Sequence, residues 1–212
     1  RPVLLVGGGI RLAHGVEEAR KTADLLGIPV LTTWSGFDIV PHDHPLFVGQ
    51  MGVYGARGAN FAVQNADVLL SVGSRLDTRI TGGKPSTYAR AAKKIVVDID
   101  AAELGKRRGL TPDVAVLADA KIFLERLNAA LASFEKPEIS EWILRTQAWK
   151  KKYPTVLPEY YNQRGSVNSY VFIKTLAEEL GHDAIVVTDC GGNLTWTMQA
   201  FEVKDGQRVF SA

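Results

Sequence analysis

The feature that most constrains this chain is an alternation. Apolar runs of strand length are followed, again and again, by stretches with helical period. Such alternation builds a parallel sheet with helices on both faces, because each parallel strand needs a helical crossover to return the chain to the starting edge. The runs Pro2 to Val6, Val30 to Thr33, Asp67 to Gly73, Ile95 to Ile99 and Val114 to Leu117 read as strands. Helices are expected from about Gly15 to Leu26, around Ala59 to Asn65, and from Ala120 to Phe134. The expected fold is α/β: a doubly wound, mostly parallel six-stranded sheet, then the first elements of a second α/β domain.

At 212 residues the chain accommodates one full domain and part of another. Residues 1–135 are expected to form the first. The Pro-containing stretch 136–165, with a Trp-bearing helix around Glu141 to Tyr153, reads as a connector. Residues 166–212 start a second unit, with Ser166 as expected N-cap of a helix that ends at Gly181, a strand at Ala184 to Thr188, and a glycine turn. The chain begins without Met, directly in a strand, and stops just after another apolar start, so a fragment is expected.

A net charge of +2 is too small to imply a nucleic-acid partner, and no apolar run nears the roughly 20 residues of a membrane span. The clusters Lys106-Arg107-Arg108 and Lys150-Lys151-Lys152 read as solvated surface. Cys190 has no partner for an internal disulfide, and the N-terminus lacks the form of a cleavable signal, which favours the cytoplasm.

In open parallel sheets ligands bind at the carboxyl ends of the strands. Five loops here carry polar or glycine residues at those ends: Gly7-Gly8-Gly9, Thr32-Thr33-Trp34, Gly73-Ser74-Arg75, Asp98-Ile99-Asp100 and Asp119. They are expected to converge on one crevice. A dinucleotide fingerprint needs a third glycine where Leu12 stands, and an acid where Thr33-Trp34 stands, so an ordinary NAD dehydrogenase is disfavoured. The triple glycine serves either close approach of a ligand or simply a tight turn. Arg75 and Arg79 suit phosphates, or else pair with Asp77. Asp98 and Asp100 are expected to point oppositely, leaving one to face the crevice and hold an adenosine ribose.

Taken in order, the glycine triplet, Gly52-Val53-Tyr54-Gly55, Ala59-Asn60, Asn65-Ala66-Asp67, Gly73-Ser74-Arg75 through Gly82, and Asp98-Ile99-Asp100 resemble the central domain of thiamine-diphosphate enzymes of the acetolactate synthase family. The resemblance runs along nearly the whole chain. It implies a central domain that holds FAD, or in some relatives ADP or nothing, through Gly7, Gly8, Gly9, Thr33, Trp34, Gly52, Val53, Tyr54, Gly73, Arg75, Asp77, Arg79, Asp98 and Asp100. Tyr54 stands where that family usually has His, and Leu76 and Thr78 where it has Phe and Asp, which suggests a sister enzyme. Thr188-Asp189-Cys190-Gly191-Gly192-Asn193 is similar to the segment that meets the thiamine diphosphate tail, with Gly191, Gly192 and Asn193 as implied contacts.

The resemblance further implies Mg²⁺ beside the diphosphate, an activating Glu upstream of Arg1 and a Gly-Asp-Gly metal motif beyond Ala212. The parent enzyme would add the thiamine ylid to a 2-oxo acid, release carbon dioxide and pass the remainder to a second carbonyl; the fragment alone is expected to be inactive. The full-length protein is expected to be a homodimer or homotetramer, with the cofactor between subunits. The competing reading is a non-catalytic nucleotide-binding or structural module. His42 and His44 are read as a surface turn, not a metal site. Cys190 is expected to be a small buried hydrophobe, Asn193 a helix cap if no ligand binds, and the four Trp residues packing groups.

Overall fold

The computed structural model describes residues 1–106 and 109–211. Six parallel strands form the main sheet: β1 (Pro2–Val6), β2 (Val30–Thr32), β3 (Phe47–Gln50), β4 (Val68–Val72), β5 (Lys93–Asp98) and β6 (Val114–Leu117). Their order is β3-β2-β1-β4-β5-β6, the doubly wound arrangement, with the reversal between β1 and β4. The expected α/β sheet is thus present, and the strand the sequence did not single out, β3, lies at the edge beside β2.

Period-two side-chain alternation divides the core. Val3 and Leu5 of β1 face one side, with Leu69, Val96, and Ala59, Ala62 and Val63 of α3 (Arg57–Asn65). Leu4 and Val6 face the other, with Val30, Val97, Ala19 and Ala23 of α2 (Val16–Leu26), and Ala120 and Leu124 of α6 (Ala120–Ala130). Alanines on the helix faces let backbones approach the sheet closely. Between these lie three short helices, α1 (Gly9–Leu12), α4 (Thr78–Thr81) and α5 (Ala101–Gly105). A buried polar pair welds α2 to α6: the Thr22 hydroxyl lies 2.7 Å from Asn128 Oδ1, and Asn128 Nδ2 donates to the Glu18 carbonyl.

Helix α7 (Ser140–Lys152) packs on α3 and closes the first face. Trp142 is buried there; its indole N–H donates to the Pro2 carbonyl at 3.0 Å, and its ring meets Trp149 edge to face. The last part of the chain is α8 (Ser169–Glu179), β7 (Ile185–Thr188), α9 (Gly192–Ala200) and β8 (Arg208–Ser211), with β7 and β8 a parallel pair. The N-cap of α8 is Asn168, whose side chain accepts from the Tyr170 amide, rather than Ser166. Ser166 instead accepts from Gln163. No helix among the described residues is long and apolar enough to cross a membrane.

Candidate functional site

The turn after β1 owes its three glycines to the chain itself. A Cβ at Gly7 would lie 2.3 Å from the Gly73 carbonyl oxygen, one at Gly8 2.5 Å from Ser35 Cβ, and one at Gly9 2.9 Å from Gly73 Cα. The loops after β1, β2 and β4 therefore touch where the strand order reverses. Their amides are also engaged: Gly7 N donates to Val72 O, Gly9 N to Gly73 O and Ile10 N to Gly7 O. Only the Gly8 amide of the triplet lacks an acceptor among the described residues, so close packing is the main reason for the motif.

Beside this knot lies a flat, partly open surface. Trp34 follows β2, and its ring stacks on Tyr54 at 5.6 Å between centroids, while the Arg79 guanidinium sits 5.4 Å from the Trp34 ring centre. Gly52, at φ 130°, lets the Val53 amide donate to Arg79 O at 2.8 Å; a Cβ there would lie 2.6 Å from that oxygen. Asn60 of α3 holds the loop through bonds to both Gly52 N and Gly52 O. Val53 and Tyr54 remain exposed.

After β4, Asp77 caps α4, accepting from the amides of Arg79 and Ile80. Arg75 touches it only loosely, at 3.4 Å, with two thirds of the arginine side chain in solvent. Arg75, Asp77 and Asp98 line one narrow cleft with Leu76, Val96 and Leu104. Asp98 faces this cleft and accepts from the Asp100 amide. Asp100 caps α5 by accepting from Ala102 N. The two side chains do part, one to the cleft and one to a helix cap, but not for the expected reason. Residues two apart on a strand share a face; the two aspartates differ because β5 ends at Asp98. Asp119 likewise caps a helix, α6. Lys106 pairs with Glu103 and donates to Arg75 O; Arg107 and Arg108 lie outside the described residues.

The second glycine turn is different. Gly191, at φ 90°, is the N-cap of α9, and nothing lies within 4 Å of where its Cβ would be. The amides of Gly191, Gly192 and Asn193 have no acceptor among the described residues, and all three residues are exposed. Asn193 is inside the helix and does not cap it. Thr188, at the end of β7, is buried with its hydroxyl unpartnered. Cys190 is an exposed free thiol, contrary to its expected burial.

Sequence reasoning missed the groups that join the two units. Phe37 is buried in the core of the second unit, among Ile173, Met198, Phe201 and Val209. Next to it, Asp38 has 2% of its side chain exposed and accepts from Arg11, Arg208 and the Val209 amide at 2.8 to 3.0 Å. A lone carboxylate inside Phe37-Asp38-Ile39-Val40 was the available signal, since a charge in an apolar run needs partners if it is buried. Gln199 of α9 donates to Tyr54 O, and Tyr170 donates to Gln199.

His42 lies in a turn, as expected, but is largely withdrawn from solvent. Its ring stacks on Phe47 and meets Phe37 edge-on, and burial beside the Lys150 ammonium lowers its pKa to about 3, so it is neutral at working pH. Its Nε2 lies 3.3 Å from Phe37 O, and its amide donates to Val203 O. Lys150 is also mostly withdrawn from solvent, donating to His42 O and Phe47 O, which corrects its expected solvation; Lys151 and Lys152 are in or near solvent as expected. His44 pairs with Asp24 at 3.1 Å. Among the described residues no three His, Cys, Asp or Glu side chains gather as a metal site.

Comparison with known proteins adds the family. Residues 1–127 match the model for the thiamine pyrophosphate enzyme, central domain. The chain is 36% identical to a probable acetolactate synthase large subunit of Methanocaldococcus jannaschii, over 96% of this chain and 34% of that protein. It is 38% identical to the acetolactate synthase large subunit of Corynebacterium glutamicum, over 94% of this chain and 31% of that protein. Against acetolactate synthase 1, chloroplastic, of Zea mays the identity is 37%, over 100% of this chain and 32% of the relative. The chain thus spans about a third of the length of the curated relatives it matches. With the parallel sheet, the reversal point between β1 and β4 and the family match in agreement, the chain belongs to the thiamine pyrophosphate enzymes, as an acetolactate synthase-like member whose first 127 residues are the central domain.

Proposed function

We propose that the protein containing this chain is a thiamine-diphosphate-dependent carboligase or decarboxylase acting on a 2-oxo acid. The observation that carries the reading is the open turn after β7. Three exposed amides with no acceptor among the described residues stand at the positive end of a nine-residue helix, and Thr188, just before the turn, has a buried hydroxyl with no partner among those residues. That is a donor set made for a diphosphate. Gly191, Gly192 and Asn193 would hold it through backbone N–H groups, and Gly191 would keep the approach clear of side chains. When bound, thiamine diphosphate supplies the nucleophilic carbon and the electron sink; Mg²⁺ would balance the diphosphate charge. This chain's residues bind and orient.

In the central domain the residues fit an adenine nucleotide. Asp98 would accept from ribose hydroxyls at the mouth of its cleft, Arg75 would meet phosphate, and the Trp34–Tyr54 pair offers a flat face to a ring system. FAD and ADP share that chemistry, and the visible spectrum of the purified full-length protein separates them. We keep the division 1–135, 136–165 and 166–212, with α7 of the connector buried on the central core. The cytoplasm is the proposed compartment, in keeping with a single free thiol, although the maize relative's name places that protein in a chloroplast. A homodimer or homotetramer is the proposed assembly, to be read by sedimentation of the full-length protein.

The test is to assay the full-length protein with thiamine diphosphate and Mg²⁺ against pyruvate and other 2-oxo acids. Cofactor-dependent release of carbon dioxide is expected. No cofactor-dependent turnover of any 2-oxo acid would overturn the reading.

A further inference from the structure

The two-stranded sheet of the second unit is small, and one face carries exposed Ile185, Val187 and Phe210. A pair of strands has little stability of its own in water, so its position must come from elsewhere. On the other side, the carboxylate of Asp38 supplies an anchor. One oxygen accepts from Arg208 at 2.9 Å and from the Val209 amide at 3.0 Å; the other accepts from Arg11 at 2.8 to 3.0 Å. Arg11 Nη2 also donates to Asp38 O. Arg11 is in α1, two residues past the triple glycine, and Asp38 is four past Trp34. A single carboxylate therefore joins the loops of the central groove to the outer edge of β8.

From β8 the connection to the proposed cofactor turn is short. Val209 pairs with Val186 and Ser211 with Thr188, and the turn follows Thr188 at once. Phe37, next to Asp38, packs on Met198 and Phe201, at and just beyond the end of the helix that starts at the turn. Both sides of the turn, strand and helix, are thus referred to the same two residues of the central domain. A carboxylate with 2% exposure, held between two guanidinium groups and an amide, has little freedom.

We propose that Asp38 is a positioning residue for thiamine diphosphate, fixing β8, and through it β7 and the Gly191–Asn193 turn, against the central domain. The inference rests on the assignment of that turn to the cofactor. Replacing Asp38 with Asn keeps the volume but turns an N–H group toward donors and removes the charge shared by two arginines. The turn would then sample orientations in which its three amides do not converge.

The experiment uses full-length protein, with thiamine diphosphate and Mg²⁺ titrated against the fluorescence of the tryptophans, Trp196 lying against Gly192. ADP is titrated in parallel. D38N is expected to weaken thiamine diphosphate binding at least tenfold, well below its melting temperature, while ADP affinity changes less than threefold. In turnover, the concentration of cofactor needed for half-maximal rate should rise by the same factor, and kcat at saturating cofactor should fall less. Arg208→Gln should shift cofactor binding in the same direction, and Asp38→Glu should recover part of the loss. Equal thiamine diphosphate affinity in wild type and folded D38N overturns the proposal and leaves the cofactor assignment standing. Parallel losses for ADP and thiamine diphosphate also overturn it, by showing a general structural defect. Failure of the wild type to bind thiamine diphosphate removes the assignment itself, and the proposal with it.

Discussion

Two strand–glycine–helix turns in one chain look alike as text and differ as objects. After β1, Gly7, Gly8 and Gly9 are pressed against Gly73 and Ser35, and most of their amides serve the chain's own carbonyls. After β7, Gly191 has empty space around it, and the amides of Gly191, Gly192 and Asn193 have no acceptor among the described residues. The first turn needs glycine so that three loops can meet; the second needs it for the left-handed backbone of Gly191 and, at Gly192, for the ring of Trp196. Glycine spacing alone does not distinguish these causes, whereas the count of free amides does.

The largest effect should come from breaking the packed turn. Gly7→Ala places a methyl group 2.3 Å from a carbonyl oxygen that cannot move without shifting β4, and it should cost more than about 3 kcal/mol. Thermal melting of the full-length protein, or loss of soluble expression, reads this; an unchanged melting temperature would remove the packing explanation.

Next is acid. Because the buried His42 imidazole is harder to protonate than in the unfolded chain, the unfolded state takes up protons first as pH falls. The stabilisation is complete above the ordinary value of 6.5 and is lost as pH drops toward about 3, at about 1.4 kcal/mol per pH unit. The difference in stability between wild type and His42→Phe should therefore shrink between pH 7 and pH 4.5, by about 2 kcal/mol, as followed by denaturant melts at each pH. A constant difference would place His42 in solvent and would separate the two units there.

Gly191→Ala is expected to cost only about 1 to 2 kcal/mol, from backbone strain at φ 90° with no clash, yet to weaken thiamine diphosphate binding tenfold or more in calorimetry. A large loss of stability with unchanged binding would make the second turn a copy of the first. Smallest in stability is Asp98→Ala, with a cost of about 1 kcal/mol for the bond to Asp100 N. ADP affinity should fall about tenfold, and unchanged affinity would remove the ribose assignment.

Where a segment's own pattern decided its structure, the sequence was legible. The strands β1, β4, β5 and β6, the stripe of α2 and both glycine turns follow from local period and breakers. The edge strand β3 did not, because Gly49 at φ 150° and a register shift between Val30 and Leu31 interrupt its pattern, with Pro45 just before it. Burial imposed from outside was also hidden. His42 and Lys150 read as loop and surface until α7 and the second unit close on the loop before β3. Asp38 meets Arg208, 170 residues away, and no local pattern encodes that pairing. The proposed nucleotide contacts were legible as candidates because they sit at strand ends, a rule of the sheet; the anchor was missed because it belongs to a junction between units.

Amide hydrogen exchange on the full-length protein tests the contrast between the two turns most directly. Without ligand, the amides of Gly7, Gly9 and Ile10 should exchange slowly and those of Gly191, Gly192 and Asn193 quickly; thiamine diphosphate with Mg²⁺ should slow the second set and leave the first unchanged. Protection gained at the triple glycine, with none at Gly191 to Asn193, would contradict the account.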